Sequence, residues 1–228
     1  MKEERVFYSE LAYVIGIAIL AFGTALMEWA NFGMSMVVAP AYLLHVVLSP
    51  ILPFFTFGVA EYVFQALLLI LLSFVMRGFK KSYLFSFVTA LIYGFLLDLF
   101  IALVALFPFT GFPLRLLFFA LGMVICCTGI ALLFRTYLPP EAYELVVKEL
   151  AAKFGLPLGK TKTVYDFCSC LLAIILSFAF FGFGQFVGVQ VGTVVCTVFN
   201  GFLIGRAGAL LDRLFVFRDA LPLRSRLS

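Results

Sequence analysis

The stretch from Gly16 to Leu26 reads GIAILAFGTAL, and the stretch from Gly122 to Leu132 reads GMVICCTGIAL. Both stretches carry two glycines seven residues apart and end on Ala-Leu, at an offset of 106 residues along the chain. Self-similarity at a fixed offset is the sequence sign of an internal repeat. The arrangement of apolar segments around these two stretches therefore decides the fold.

The composition places these stretches in a membrane. Hydrophobic residues make up 64% of the 228 residues and charged residues 12%, about half of the roughly 25% charged content of a soluble domain. A soluble fold of this size could not remove so much apolar surface from water. A soluble enzyme, a nucleic-acid-binding protein and a disordered chain are thereby excluded, and the lipid bilayer is the expected surrounding.

Six apolar segments reach the length of about 20 residues that a membrane helix needs. A seventh apolar stretch, residues 34–52, contains Pro40, His45 and Pro50 and is followed directly by Pro53, which favours a re-entrant or interfacial segment over a straight span. The sequence thus predicts an all-α membrane protein, a single domain over residues 1–228, with spans at about 11–30, 57–76, 83–106, 114–134, 163–183 and 187–211.

The positions of the basic residues favour six spans over seven. With six spans and a cytoplasmic N-terminus, fifteen of the sixteen lysines and arginines lie on the inner side, and Arg115 alone lies outside. Cytoplasmic loops of membrane proteins carry this excess of positive charge. We therefore expect a multi-pass membrane protein with both chain ends in the cytoplasm.

Three spans in each half of the chain imply that the halves are inverted. The third spans also correspond, since Gly94 to Asp98 reads GFLLD and Gly201 to Gly205 reads GFLIG. Because three is odd, repeat 1 (about 11–106) and repeat 2 (about 114–215) must cross the membrane in opposite senses. Inverted repeats are a recurrent architecture of transporters, so the leading prediction is passage or binding of a small solute or ion at the repeat interface.

The inner connecting segment, residues 140–154, predicts an amphipathic cytoplasmic helix on the membrane surface. Glu144 with Lys148 and Glu149 with Lys153 are spaced four residues apart on its polar face. The alternative function follows from this helix: a regulatory or scaffold protein that presents residues 140–154 to a cytoplasmic partner. The apolar face consists of Tyr143, Val146, Val147, Leu150, Ala151 and Phe154.

Ionisable residues at membrane depth are the candidate site residues, because burying them in lipid is costly. On the outer side, a pathway for a cation or proton could be formed by Glu28, Asn31, Glu61 and Asp98, with His45 above. The alternative is that Glu28 and Glu61 reach interfacial water. On the inner side, Asp166 and Arg206 have similar predicted depth and could form an inner gate or a structural pair.

The last span carries a small-residue stripe of the kind that lets helices approach closely in lipid. It predicts packing within the chain or, alternatively, a homodimer contact, and its members are Gly184, Gly188, Gly192, Cys196 and Asn200.

The sequence carries no catalytic or metal-binding signature. The five cysteines lack metal-site spacing, and a single histidine allows neither a histidine cluster nor a Ser-His-Asp triad. The sequence therefore predicts no enzyme activity, no cofactor and no metal.

Three short motifs, in this order, resemble the bacterial YczE/YyaS/YitT family of integral membrane proteins over about residues 10–215. They are Ala30 to Ser35 (ANFGMS), Gly58 at the start of the second span, and Gly192-Thr193 through Asn200-Gly201 in the last span. Where members of that family often continue the first motif with Pro-Trp-Asp, this chain has Met36-Val37-Val38. The resemblance implies an architecture and supplies no catalytic residues.

Overall fold

The computed structural model describes residues 5–33, 35–107, 111–156 and 158–221, so Met34, at the start of the predicted segment 34–52, lies outside it. The described residues form eight helices and two short strands. In chain order these are β1 (Val6–Tyr8), α1 (Ser9–Ala30), α2 (Ala39–Leu48), α3 (Phe57–Met76), α4 (Lys81–Ala105), α5 (Phe112–Leu133), α6 (Ala142–Phe154), α7 (Leu158–Phe181), α8 (Val191–Leu214) and β2 (Val216–Arg218).

Six of these helices are long and apolar enough to cross a membrane, namely α1, α3, α4, α5, α7 and α8. The short helix α2 lies between α1 and α3 in the chain, and the short helix α6 lies between α5 and α7. The prediction of six spans in an all-helical membrane protein is thus confirmed. Four of the six helices agree with the predicted segments to within two residues at each end, because the hydropathy of the sequence marks these segments directly. Helix α7 begins five residues earlier than predicted.

The last span begins at Val191, four residues later than predicted. Gly188 has φ 68°, a left-handed conformation that ends regular backbone before the helix. The Gln190 side chain and the Thr193 side chain then form a reciprocal capping box at the start of α8. Local turn chemistry, which hydropathy does not report, sets this boundary.

The two ends of the chain meet on one side of the helix bundle. Strand β1 pairs in parallel with β2, with Phe7 opposite Phe217. The Glu10 carboxylate accepts hydrogen bonds from the backbone N–H groups of Ala220 and Leu221 at 2.9–3.1 Å. This pairing agrees with an even number of spans, which places both ends on the same side.

Helices α1 and α5 make the most extensive contact in the bundle, and glycines let their main chains touch. A Cβ atom added at Gly23 would lie 2.7 Å from the carbonyl oxygen of Gly122, and one at Gly122 would lie 2.7 Å from that of Gly23. Gly16 and Gly129 face each other in the same way, at 3.2 and 2.8 Å. The two GxxxxxxG stretches therefore form one antiparallel crossing.

The remaining helices attach to this central pair. Helix α4 packs on α1, and α8 packs on α5. The short helix α2 lies against α3 and α7, while the short helix α6 lies against α7 and α3. Helix α6 also contacts α4, and each short helix thus contacts spans from both halves of the chain.

Helix α6 has the predicted bounds and the αL terminator at Gly155, but it does not lie on the surface as expected. Every residue from Glu141 to Val147 is buried, including Glu144 at 1% exposure. The predicted pairing of Glu144 with Lys148 is wrong, because Lys162 of α7 provides a closer cation within the protein. Only the second half of α6, from Lys148, exposes charged side chains.

We predict that Gly23→Ala destabilises the protein by about 1–3 kcal/mol, the usual cost of overpacking a close contact. Gly205→Ala is the matched control, because a Cβ atom at this glycine of α8 meets nothing within 4 Å. Thermal unfolding in detergent should show a lower midpoint for Gly23→Ala and an unchanged or higher one for Gly205→Ala. Equal midpoints for both variants would contradict the crossing.

Candidate functional site

Five ionisable side chains from three helices lie together in the interior. Glu61 belongs to α3, Glu141 and Glu144 stand at the start of α6, and Lys162 and Asp166 belong to α7. None of the five residues is more than 8% exposed. Ionisable groups are rarely buried so completely in membrane segments unless they have partners or a function. We call these five residues the buried cluster.

Glu61 connects α3 with the start of α6. Its Oε2 accepts hydrogen bonds from the Tyr143 hydroxyl at 2.7 Å and from Nε2 of Gln65 at 3.2 Å. The Oε1 atom of Gln65 in turn accepts from the backbone N–H of Ala142 at 2.9 Å. That N–H is one of the helix-terminal donors that need a partner outside the helix. The side chain of Gln65 thereby fixes where α6 begins.

Hydroxyl groups of α4 hold the chain that leads into α6. Ser86 donates to the carbonyl of Pro140 at 2.6 Å, and Thr89 donates to the carbonyl of Pro139 at 3.1 Å. Both hydroxyl residues are fully buried. Because buried carbonyls need donors, these bonds stabilise an irregular segment inside the protein and place Glu141 next to Glu61.

Lys162 is the cation of the buried cluster. Its Nζ lies 2.8 Å from Oε1 of Glu144 and 3.1 Å from Oδ1 of Asp166, one turn further along α7. An ammonium group between two carboxylates joins α6 to α7. The cation is fully engaged within this triad.

The buried cluster has more acid than base. Four carboxyl groups against one ammonium group give a net charge of −3 if all are ionised. In addition, four carboxyl oxygens of the cluster have no hydrogen-bond partner: Oε1 of Glu61, Oε2 of Glu141, Oε2 of Glu144 and Oδ1 of Asp166. The last of these still has its ion-pair contact with Lys162. Isolated charges and unpartnered polar atoms are both costly in an apolar interior. The cluster therefore has the capacity to take up positive charge.

Glu141 experiences this imbalance most directly. Burial raises the pKa of its carboxyl well above the usual range of a glutamate, and the neighbouring charges of Glu61 and Glu144 raise it further. The environment of Glu141 thus favours its protonated form.

A closed cavity of about 20 Å³ lies beside Glu141 and Glu144. Its wall also includes Thr24 of α1, Tyr93 of α4 and Asn200 of α8. This volume holds about one water molecule. Three larger grooves, of about 750, 590 and 260 Å³, have almost entirely apolar walls. Of these four spaces between described residues, the small cavity is the one that carboxyl side chains line.

A sequence profile for a family of unknown function, DUF6198, matches residues 7–208. The chain belongs to this family. The match includes α1 to α7 and most of α8, and therefore all residues of the buried cluster. No curated protein and no solved structure matches the chain. The profile does not connect DUF6198 with the YczE/YyaS/YitT proteins that the motifs resemble.

The outer residues predicted from the sequence do not form one group with Glu61. Asp98 instead caps α3: its Oδ1 accepts from the backbone N–H of Gly58 at 2.8 Å, and its Oδ2 accepts from Thr56 at 2.6 Å. Glu61 lies one turn further into α3 and has its bonds to Gln65 and α6. A carboxylate at a helix N-terminus is stabilised by the helix dipole, which gives Asp98 a structural role.

Glu28 and Asn31 lie at the end of α1. Glu28 is close enough to His45 to interact electrostatically, and Nδ1 of His45 is 2.9 Å from the carbonyl oxygen of Phe55. Asn31 ends α1 in the left-handed conformation with φ 52°, and its carbonyl accepts a hydrogen bond from Arg115. These contacts explain the local chain path at the outer end of α1.

The predicted inner pair has different partners in the structure. Asp166 pairs with Lys162, while Arg206 is exposed and lies over the ring of Phe202 at 5.1 Å. Among the described residues, no ion pair joins Asp166 to Arg206. The sequence shows matching depth for these two residues but not the direction in which each side chain points.

The small-residue stripe is helical only in part. Gly184 and Gly188 precede α8 and have positive φ angles, so they belong to the connection before the helix. Gly192 contacts the end of α1, where its backbone N–H donates to the carbonyl of Phe32 at 2.8 Å. Cys196 and Asn200 are buried, and Cys127 of α5 donates to the side chain of Asn200.

Sequence reasoning missed Gln65, Glu141 and Lys162 as site residues. Gln65 stands one helical turn after Glu61, and Lys162 stands one turn before Asp166, so each pair shares a helix face. Spacing alone could therefore have identified both pairs. Glu141 gave a weaker signal, as a carboxylate directly after two prolines.

We predict that Lys162→Met destabilises the protein by about 3–5 kcal/mol, because Glu144 and Asp166 then remain buried without their cation. Combining it with Glu144→Gln should cost less than the sum of the two single changes, as expected for residues in contact. The exposed Lys160, two residues earlier, provides the control Lys160→Met. Thermal unfolding in detergent measures all four variants, and simple additivity would contradict the ion pair.

Proposed function

We propose that this protein binds a small solute or ion at the interface of two inverted halves and carries it across the bacterial inner membrane. The observation that carries the proposal is the buried, charge-imbalanced cluster between the halves. Within the cluster, Glu61 comes from the first half and Glu141 from the second. In the wall of the adjacent cavity, Thr24 and Tyr93 come from the first half and Asn200 from the second. Intramembrane ionisable residues at such an interface are typical of transport pathways.

The reciprocal glycine contacts support the inverted repeat. The sequence relates Gly16 to Gly122 and Gly23 to Gly129, while the observed contacts join Gly16 to Gly129 and Gly23 to Gly122. Exchange of partners in this manner is the property of an interface with two-fold symmetry. The Cys126 thiol also donates to the carbonyl of Leu20, its counterpart at the offset of 106, as expected for residues close to such an axis.

The short helices support the same symmetry. Helix α2 crosses to α7 of the second half, and α6 crosses to α3 of the first. The residues at their starts, Val38 and Glu141, are both buried and both line the small cavity. Two short helices that begin in the interior favour the re-entrant interpretation of the segment around α2. Broken helices of this kind line the binding sites of many transporters.

The closed cavity fits an occluded state in this proposal. Transport would require the halves to move so that the cavity opens to one side and then to the other. The contacts of α6 with α3 and α7 are the ones that would change when the inner side opens. Both chain ends would stay on the cytoplasmic side, in keeping with the distribution of basic residues.

The alternative function, a scaffold that presents residues 140–154 to a cytoplasmic partner, has less support. Residues Ala142 to Val147 of α6 are buried and engaged with α3 and α7. Only the last two turns of the helix remain accessible, which is a small surface for a docking partner.

Charge movement in reconstituted vesicles tests the transport proposal. Proteoliposomes on a solid-supported membrane are exposed to jumps in pH, sodium, potassium, ammonium and a panel of small amines and organic acids. We expect at least one jump to give a current above that of empty liposomes. That current should be lost in Glu61→Gln and kept in Glu149→Gln, which alters a carboxylate on the exposed half of α6.

Currents that never exceed those of empty liposomes would contradict transport. A cytoplasmic protein that co-purifies with the intact chain, and is lost when Lys148, Lys153 and Phe154 are substituted together, would favour the scaffold instead.

A further inference from the structure

The acidic part of the buried cluster contains the carboxyl groups of Glu61, Glu141 and Glu144. Glu61 and Glu144 both interact electrostatically with Glu141, which stands between them. All three residues are at most 5% exposed, and each has one oxygen without a hydrogen-bond partner. The described residues thus leave three acceptors that lack a donor.

We propose that Glu61 and Glu141 form a proton-binding site, whose protons occupy their unpartnered oxygens and serve as the coupling ion for transport. The use as coupling ion rests on the proposed function, whereas the proton site stands on the geometry. In each binding event an O–H bond of a hydronium ion breaks, leaving a water molecule, and an O–H bond forms on a carboxylate oxygen, which removes one negative charge from the interior.

Charge balance favours protons for this site. Lys162 already occupies the position between Glu144 and Asp166, where it neutralises one carboxylate. The remaining net charge of the cluster is negative, and closely spaced carboxylates in an apolar site cannot all remain ionised. Two such groups share protons and titrate as a coupled pair, which applies here to Glu61 and Glu141.

Among the described residues, the groups that interact with Glu141 include no cation besides Lys162. From the packed helices, α1 contributes Tyr13, α3 contributes Glu61, α4 contributes Tyr93, α5 contributes Cys126 and α7 contributes Lys162. Tyrosine hydroxyls and buried thiols are neutral at ordinary pH. Of the charged groups, only Lys162 is positive, and its contacts are with Glu144 and Asp166.

The cavity has the size for water and not for a large ligand. At about 20 Å³ it accommodates about one water molecule in contact with both Glu141 and Glu144. Among the described residues, no group of three or more histidine, cysteine, aspartate or glutamate side chains has the arrangement that holds a metal ion. A water molecule in the cavity would deliver the proton to Glu141.

Infrared spectroscopy of the purified full-length protein in detergent tests the proton site without any flux. Protonated carboxyl groups have a C=O stretching band that is distinct from that of carboxylates. In a pH titration, we expect the wild-type protein to keep such a band at neutral pH and lose it only far above about 4.3, the typical pKa of an exposed glutamate. The band should weaken in Glu141→Gln and in Glu61→Gln.

The matched control is Glu149→Gln, the same substitution on the same helix at a partly exposed residue paired with Lys80. Its titration should equal that of the wild-type protein. Using two cluster variants keeps the test decisive if one of them does not fold. A wild-type spectrum that shows no protonated carboxyl at neutral pH, or one that both cluster variants leave unchanged, would overturn the proposal.

Adding sodium chloride to the sample distinguishes a proton site from a sodium site. The protonated-carboxyl band should be the same in sodium-free and sodium-rich buffer. Loss of the band on addition of sodium chloride would overturn the proton site in favour of a sodium site. A confirmed proton site without currents in vesicles would refute transport alone, and currents without the band would refute the proton site alone.

Discussion

Main-chain contact between α1 and α5 is the constraint on which the rest of the structure depends. The absence of side chains at Gly16, Gly23, Gly122 and Gly129 lets the two helices approach until carbonyl oxygens meet Cα atoms. In lipid, such close packing replaces the hydrophobic effect as the force between helices. Helix α4 packs on α1 and helix α8 packs on α5. The wall of the small cavity includes residues from all four of these helices.

The buried cluster works against stability rather than for it. A buried ion pair contributes little to folding because desolvation of both charges offsets their attraction. The unpartnered oxygens of Glu61 and Glu141 add a further cost. The packing of α1 against α5 and α4 offsets this cost. This cost is one of the reasons for which we propose ion binding by these groups.

Hydropathy and charge distribution were sufficient to predict the six spans, the two short intervening segments and the bounds of α6. These features depend on the residue types along the chain and not on which helices contact each other. The burial of Glu144 could not be predicted in this way, because its partner Lys162 lies on another helix and its direction depends on how α6 is inserted. The role of Asp98 was hidden for the same reason, since its partners Thr56 and Gly58 are remote in sequence.

The register of the α1–α5 crossing is the central claim, and one cross-link tests it most directly. The Thr24 hydroxyl oxygen lies 3.6 Å from the sulfur of the native Cys126, so Thr24→Cys should form a disulfide between the two helices under mild oxidation. Val14→Cys, at a lipid-exposed position of the same helix, is the control. Proteolysis between the helices followed by mass spectrometry detects the link. We predict linked fragments for Thr24→Cys alone; free fragments for that variant, or equal linkage for Val14→Cys, would contradict the crossing.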